Sequence, residues 1–251
     1  MWADWLREYI PRVEAYHATG RTLVHPAREP ETTIKKRTGD FHARRIYCVC
    51  RICNNGWMSR LQEMTKPFLV PMLQGRESSL HKRAQRLLAA WTAMMVMVTE
   101  YGEGRDMIAV PASDRDFLRN EEVPPRRWRI WIGAHSNKTF PLYSHFVSEF
   151  VEKKTEGNPE GLSESPNTQT STICVGEHLL IFVLSSSFVG RGIFRTWTLP
   201  AQIRPGMQQI WPHSIRTRDV RWTTSRRLTD QGVALLANSF FDTATEMAAL
   251  R

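Results

Sequence analysis

Three of the four cysteines, Cys48, Cys50 and Cys53, fall within six residues, and the fourth, Cys174, stands far away. The two-residue spacing in Cys50-Arg51-Ile52-Cys53 lets two thiolates reach one Zn²⁺ from a tight turn whose main-chain amides also meet the sulfurs. Two thiolates are half of a structural zinc site, and the sequence has no second CxxC. Cys48 is a candidate third ligand, because in an extended segment it shares a face with Cys50 about 7 Å away. His42 and His25 are further candidates. The same cysteines also suit two other roles, reduced structural thiols or redox chemistry. Cysteines packed this closely fit metal binding in a reducing compartment better than a disulfide framework.

The knuckle sits inside a cationic stretch. The chain of 251 residues carries 34 Lys and Arg against 25 Asp and Glu, a net charge of +9. Between Arg28 and Arg60 the basic residues are Arg28, Lys35, Lys36, Arg37, Arg44, Arg45, Arg51 and Arg60, against Glu29, Glu31 and Asp40. Charge clustered in this way favours polyanions. Lys35, Lys36, Arg37, Arg44 and Arg45 are therefore expected to neutralise phosphates of nucleic acid, with DNA the first choice, and to carry no sequence preference. The alternative is a solvated arm.

The longer string Val49-Cys50-Arg51-Ile52-Cys53-Asn54-Asn55-Gly56-Trp57-Met58-Ser59-Arg60-Leu61-Gln62 resembles a segment of bacterial and phage proteins described as HNH-endonuclease-like, which have a treble-clef zinc fold. Trp2-Ala3-Asp4-Trp5-Leu6 resembles a second string of that family, with Ala3 where Pro is usual, and Gln62 stands where Glu is usual. The resemblance implies an earlier CxxC and a Glu-His, which would fall before Met1. It implies a metal-dependent endonuclease with structural Zn²⁺, and Mg²⁺ or another divalent ion at the reacting phosphate. Asn54 matches the last H/N of the pattern, or is a turn residue before Asn55-Gly56. His17, His25 and His42 are poor substitutes for the family's general base, since none sits in a DH- or EH-like pair. The rival expectation is a non-catalytic, zinc-stabilised factor that binds DNA, RNA or an acidic protein.

The elements that must position these residues are predicted from periodicity. Residues 18–40 are polar and punctuated by Gly and Pro, which predicts a loop or extended arm. Phe41 to Cys53 predicts a strand, Trp57 to Met64 a helix, and Pro67 and Pro71 its close. Leu80, Ala84, Leu87, Leu88, Trp91, Met94, Met95, Val98 and Tyr101 form one apolar stripe and predict a core helix capped by Ser78 or Ser79. Beyond it, strands are expected at Met107–Val110, Trp128–Gly133, Val175–Leu184, Ile193–Leu199 and Gln208–Trp211, with helices at Tyr143–Lys153 and Thr229–Thr245 and a mobile loop over 154–172. Asp114 and Asp116 are expected to start a short helix.

The expected fold is α+β: an incomplete treble-clef zinc-knuckle module over 1–75, then a long helix and a mainly antiparallel sheet domain over 76–251. No apolar run reaches the roughly 18 residues of a membrane span, and the start lacks a basic segment followed by an apolar one. A cytoplasmic location without membrane contact is expected. Phosphate-loop, dinucleotide and nucleophile-elbow motifs are absent from the sequence.

Overall fold

A computed structural model describes residues 4–10, 15–24, 31–39, 46–138, 143–150, 166–187, 197–214 and 217–249. The architecture is mixed α+β. Four α-helices of ten residues or more, α1 (Ser59–Leu73), α2 (Lys82–Thr99), α3 (Ala112–Glu121) and α4 (Asp230–Ala249), accompany a large sheet. Its strands run in the order β10 (Arg227–Leu228), β4 (Arg129–His135), β7 (Leu179–Ser186), β6 (Thr168–Val175), β5 (Tyr143–Phe150), β1 (Ala15–Val24) and β2 (Glu31–Gly39), and β8 (Met207–Trp211) also pairs with β4. A small ladder joins β3 (Ser78–Leu80) to β9 (Val220–Trp222). Pairing is antiparallel except between β1 and β5 and between β10 and β4.

Alternate strand residues enter two cores. Ile130, Ile132, Ile173, Val175, Ile181 and Val183 join Leu88, Trp91 and Met95 of α2 and Leu61 and Leu69 of α1. Their neighbours Trp131, Cys174, Leu180, Phe182 and Leu184 join Leu236 and Phe240 of α4. The sheet is therefore filled on both faces, which is why its strands read as runs rather than as alternation. Residues on either side of position 75 contribute to this sheet and to the first core.

Several local expectations are corrected. The basic stretch is no loop where described, since β1 and β2 pair antiparallel from Ala15↔Gly39 to Leu23↔Glu31. Ile46 to Cys50 form no strand; Phe41 to Arg45 lie outside the described residues. Pro67 and Pro71 do not close a helix but lie inside α1. They are spaced four apart behind exposed Glu63, so the carbonyls whose amide partners proline removes fall on the side away from buried Leu61, Thr65 and Leu69. The cap of α2 is His81, whose Nδ1 accepts from Ala84 N at 3.0 Å, rather than Ser78 or Ser79. Met107–Val110 is not a strand because Ala109 and Val110 donate their amides to the Glu100 carboxylate. Of the strand expected at Ile193–Leu199, Trp197 to Leu199 form no strand and 193–196 lie outside the described residues.

Tyr143 to Phe150 is the strand β5, not a helix. Thr168 to Thr172, placed in the mobile loop, open the strand β6, while 154–165 lie outside the described residues. Val175–Leu184 is a hairpin turning at Gly176, whose φ of +64° suits glycine. The strands at Trp128–Gly133 and Gln208–Trp211 and the helices at 80–101 and 229–245 are found where expected, within a few residues, and Asp114 and Asp116 lie in the opening turns of the short helix α3. Asp114 is buried, accepts from Trp128 Nε1 at 2.8 Å and pairs with Arg127.

Gly133 of β4 tests how tightly the sheet is covered. A Cβ there would stand 2.5 Å from Met207 Sδ and 2.6 Å from Gly206 O. Gly133→Ala is expected to cost about 1–3 kcal/mol, the usual penalty of overpacking, read as a lower urea midpoint. An unchanged midpoint would mean that β8 yields freely.

Candidate metal and nucleic-acid site

The knuckle is one turn of helix, Arg51–Cys53, running into a wider π-helical turn, Asn54–Met58, and then into α1. Cys50 is its N-cap: extended in backbone, exposed, with Sγ accepting the Cys53 amide at 3.3 Å. That N–H holds the Cys50 thiol below its ordinary pKa, with Arg119 adding a smaller pull in the same direction. Burial pushes the Cys48 thiol up. Asn54 is not in a tight turn. Its amide closes the helical turn on Cys50 O at 3.0 Å, and its side chain donates to Asn55 Oδ1 at 3.2 Å. Gly56, with φ −94° and ψ −110°, takes the kink between the turns.

Cys48, Cys50 and Cys53 line one cleft of about 220 Å³ with Trp57, Met58, Met94, Met97, Val98 and Tyr101. Arg115, Asp116, Leu118 and Arg119 of α3 close it. Trp57 packs against the first core, and its indole N–H is buried with no acceptor. Met94, as expected of the apolar stripe, is a core residue of α2, and so is Met97; both also line the cleft. Cys174 lies elsewhere, buried in the sheet, where desolvation pushes its thiol up to about 12.

The wall of the cleft is held by a buried ion pair that the sequence did not flag. Glu100 is fully buried, bonds Arg115, and accepts from Ala109 N at 3.2 Å and Val110 N at 3.4 Å. Arg115 also donates to Met97 O at 2.9 Å and Val110 O at 3.1 Å and lies 4.5 Å from the centre of the Tyr101 ring. Burial pushes the Glu100 carboxyl up to about 7 against the pull of Arg115 and the two amides. The expectation for this segment concerned Asp114 and Asp116; the positioning arginine stands between them.

Lys35, Lys36 and Arg37 lie exposed on β2, the outermost strand of the sheet order. Arg37 Nη1 donates to Gly102 O at 3.4 Å and lies 3.8 Å from the Glu103 carboxylate. This contact sets the basic strand against the 3-10 turn Glu100–Gly102, whose Tyr101 walls the cleft. Arg44, Arg45, His25 and His42 lie outside the described residues, and of His17 only its strand position, opposite Arg37 and Tyr143, is described.

No protein-family model, curated protein or solved structure matches this chain. Among the described residues no group of three or more His, Cys, Asp or Glu stands together as a metal site. The described knuckle thus offers two thiolates, with Cys48 on the same cleft. Among the described residues, too, no helix is long and apolar enough to cross a membrane.

Proposed function

We propose that this chain is a nucleic-acid-binding protein of the HNH-like kind, in which the basic edge strand β2 contacts phosphates beside a zinc knuckle. The observation that supports this reading is the contact of Arg37 with Gly102 and Glu103, which sets the basic strand beside the turn whose Tyr101 lines the cysteine cleft. In this reading Cys50 and Cys53 hold Zn²⁺, with Cys48, His25 or His42 supplying further ligands. Bound Zn²⁺ would cross-link the knuckle to the N-terminal segment. Lys35 and Lys36 act through charge alone and read no bases.

The resemblance extends to phosphodiester hydrolysis with Mg²⁺ or another divalent ion, whereas the basic strand supports binding. Among the described residues, the lining of the cleft contains no histidine. Asn54, the family's last motif position, stands exposed one residue after the knuckle.

Fluorescence anisotropy with duplex DNA tests the binding. Two phosphate contacts, by Lys35 and Lys36, give a slope of log affinity on log salt of about −1.8, or roughly twelvefold weakening from 50 to 200 mM. Lys35→Ala with Lys36→Ala is expected to flatten that slope by about 2, leaving the Arg37 contact in place. Affinity indifferent to salt, or a slope unchanged in the double variant, overturns the reading. Divalent-ion-dependent nicking of plasmid by the full chain would extend it to a hydrolase.

A further inference from the structure

We propose that the corner where the start of α2 meets β9 and the turn after it is a second surface for the phosphate backbone of nucleic acid, carried by Lys82, Arg83, Arg86, Arg218, Arg221 and Arg226. The inference rests on the reading above for its partner and uses none of its residues. In the sequence these cations stand in two distant stretches, and the fold gathers them. Strand β3 pairs with β9, setting Ser79 opposite Arg221, and α2 begins directly after β3. Buried Gln85 ties the stretches together: its Nε2 donates to Leu80 O at 2.7 Å and to Arg218 O at 2.8 Å, 133 residues away. Arg221 and Arg226 line one cleft of about 410 Å³ beside the ladder. Burial, and then the charges of Arg86 and Lys82, hold His213 below its ordinary pKa, which sets the segment before β9 beside the start of α2.

Two carboxylates stand among the six cations, all of which are exposed. Glu77 is committed to Arg221 at 2.7 Å and to Thr223 at 3.0 Å, and exposed Asp219 adjoins Arg218 in the chain. Among the described residues, Lys82, Arg83, Arg86 and Arg218 have no carboxylate within ion-pair distance. The first turn of α2 holds no acidic residue, so the like charges at 82 and 86, one turn apart, repel each other until an anion arrives. The corner also lacks what other partners need. Among the described residues the exposed large hydrophobics are Ile34, Tyr47, Ile52, Tyr101, Phe117 and Leu235, none of them on α2, β9 or the turn after it. A protein interface is centred on such an anchor, and a membrane takes up an apolar face. Arginine forks, by contrast, match phosphate oxygens.

This surface is distinct from the basic strand. Helix α2 has 18 residues, about 27 Å of rise, and Arg37 of β2 meets the turn at its other end, at Gly102. No single phosphate reaches both ends, so each surface adds its own contacts.

The test maps lysine acetylation on the full chain, with and without saturating duplex DNA, by weighing the labelled peptides. Duplex is expected to suppress labelling of Lys82, with Lys66, held by Glu63, as the internal standard, and high salt should restore it. Protection of Lys35 and Lys36 without Lys82 overturns this surface and leaves the reading above standing. Protection of Lys82 without Lys35 and Lys36 supports this surface and overturns the contact by β2. Protection of Lys82 by phosphatidylserine vesicles in place of duplex assigns the corner to a membrane and overturns the nucleic-acid partner. A second measurement starts from the chain carrying Lys35→Ala and Lys36→Ala. Adding Arg83→Gln and Arg86→Gln is expected to flatten its remaining slope of log affinity on log salt by about 2. The urea midpoint should not fall, because the charges removed are exposed and mutually repulsive. An unchanged slope overturns the surface.

Discussion

Glu100→Ala is expected to destabilise the protein by about 3–5 kcal/mol, because removing one partner of a buried ion pair leaves the other uncompensated. Here the loss is compounded. Glu100 is the acceptor for two main-chain amides as well as for Arg115, so alanine leaves Ala109 N and Val110 N without the acceptor that replaces a strand partner. For a chain of this size the melting temperature should fall by roughly 6–20 °C. Glu100→Gln should cost much less. Burial raises the carboxyl to about 7, so near neutrality a large share of molecules already carry it uncharged, and an amide oxygen can accept the same N–H groups. Urea unfolding at pH 7 reads both variants, and a loss below about 1 kcal/mol in Glu100→Ala would show that this pair does not hold the cleft wall.

Acid should loosen the sheet before it protonates most carboxylates. His135 and His145 are buried, and desolvation pushes each down to about 4. His145 is stacked on Tyr143, with Nδ1 2.9 Å from Ser171 Oγ and Nε2 3.4 Å from Met107 O. His135 Nδ1 accepts from Asn137 N at 3.1 Å. A histidine depressed in the fold favours the native state above the unfolded value near 6.5 and loses that contribution as pH falls toward 4. At about 1.4 kcal/mol per unit, each residue withdraws about 3 kcal/mol across this window. Glu100 has the opposite sign: raised above its unfolded value, it gives stability below that value that is lost as pH rises toward 7, so it offsets about one histidine. Urea midpoints from pH 7 to 4.5 should fall, and should fall less steeply in His145→Gln. Parallel pH profiles for the two proteins would show that His145 does not titrate with unfolding.

How much of this was legible in the sequence depends on how each element is buried. Helix α2 was plain because its apolar stripe faces one core. Strand β5 was misread because Tyr143, Phe146, Val147 and Phe150 repeat at helical spacing, and in a strand covered on both faces nothing alternates. The first half of strand β6 does not read as a strand because Thr168, Thr170, Ser171 and Thr172, buried there, carry hydroxyls. Thr168 pairs with Ser186 at 2.6 Å and Ser171 with His145, partners that lie far along the chain. The polar β2 passed for a loop because an exposed edge strand needs no apolar residues. At the candidate site, the spacing of Cys50 and Cys53 and the adjacent Lys35 and Lys36 are visible in the local sequence. Glu100, Tyr101 and Arg115 were not, because their role comes from packing between α2, α3 and the turn at 105–107.

The parallel pairing of β1 with β5, from His17↔Tyr143 to Val24↔Phe150, fixes an order of events during synthesis. The partner of β1 is made more than a hundred residues later, so the basic hairpin can leave the ribosome long before it has a sheet to join. Closing so long a loop is slow relative to local contacts. A nascent chain carries the cationic segment but not the surface, and the edge strand takes its place beside the cysteine cleft only after β5 exists. Presentation of the basic face is in this way a report that the centre of the sheet has been built.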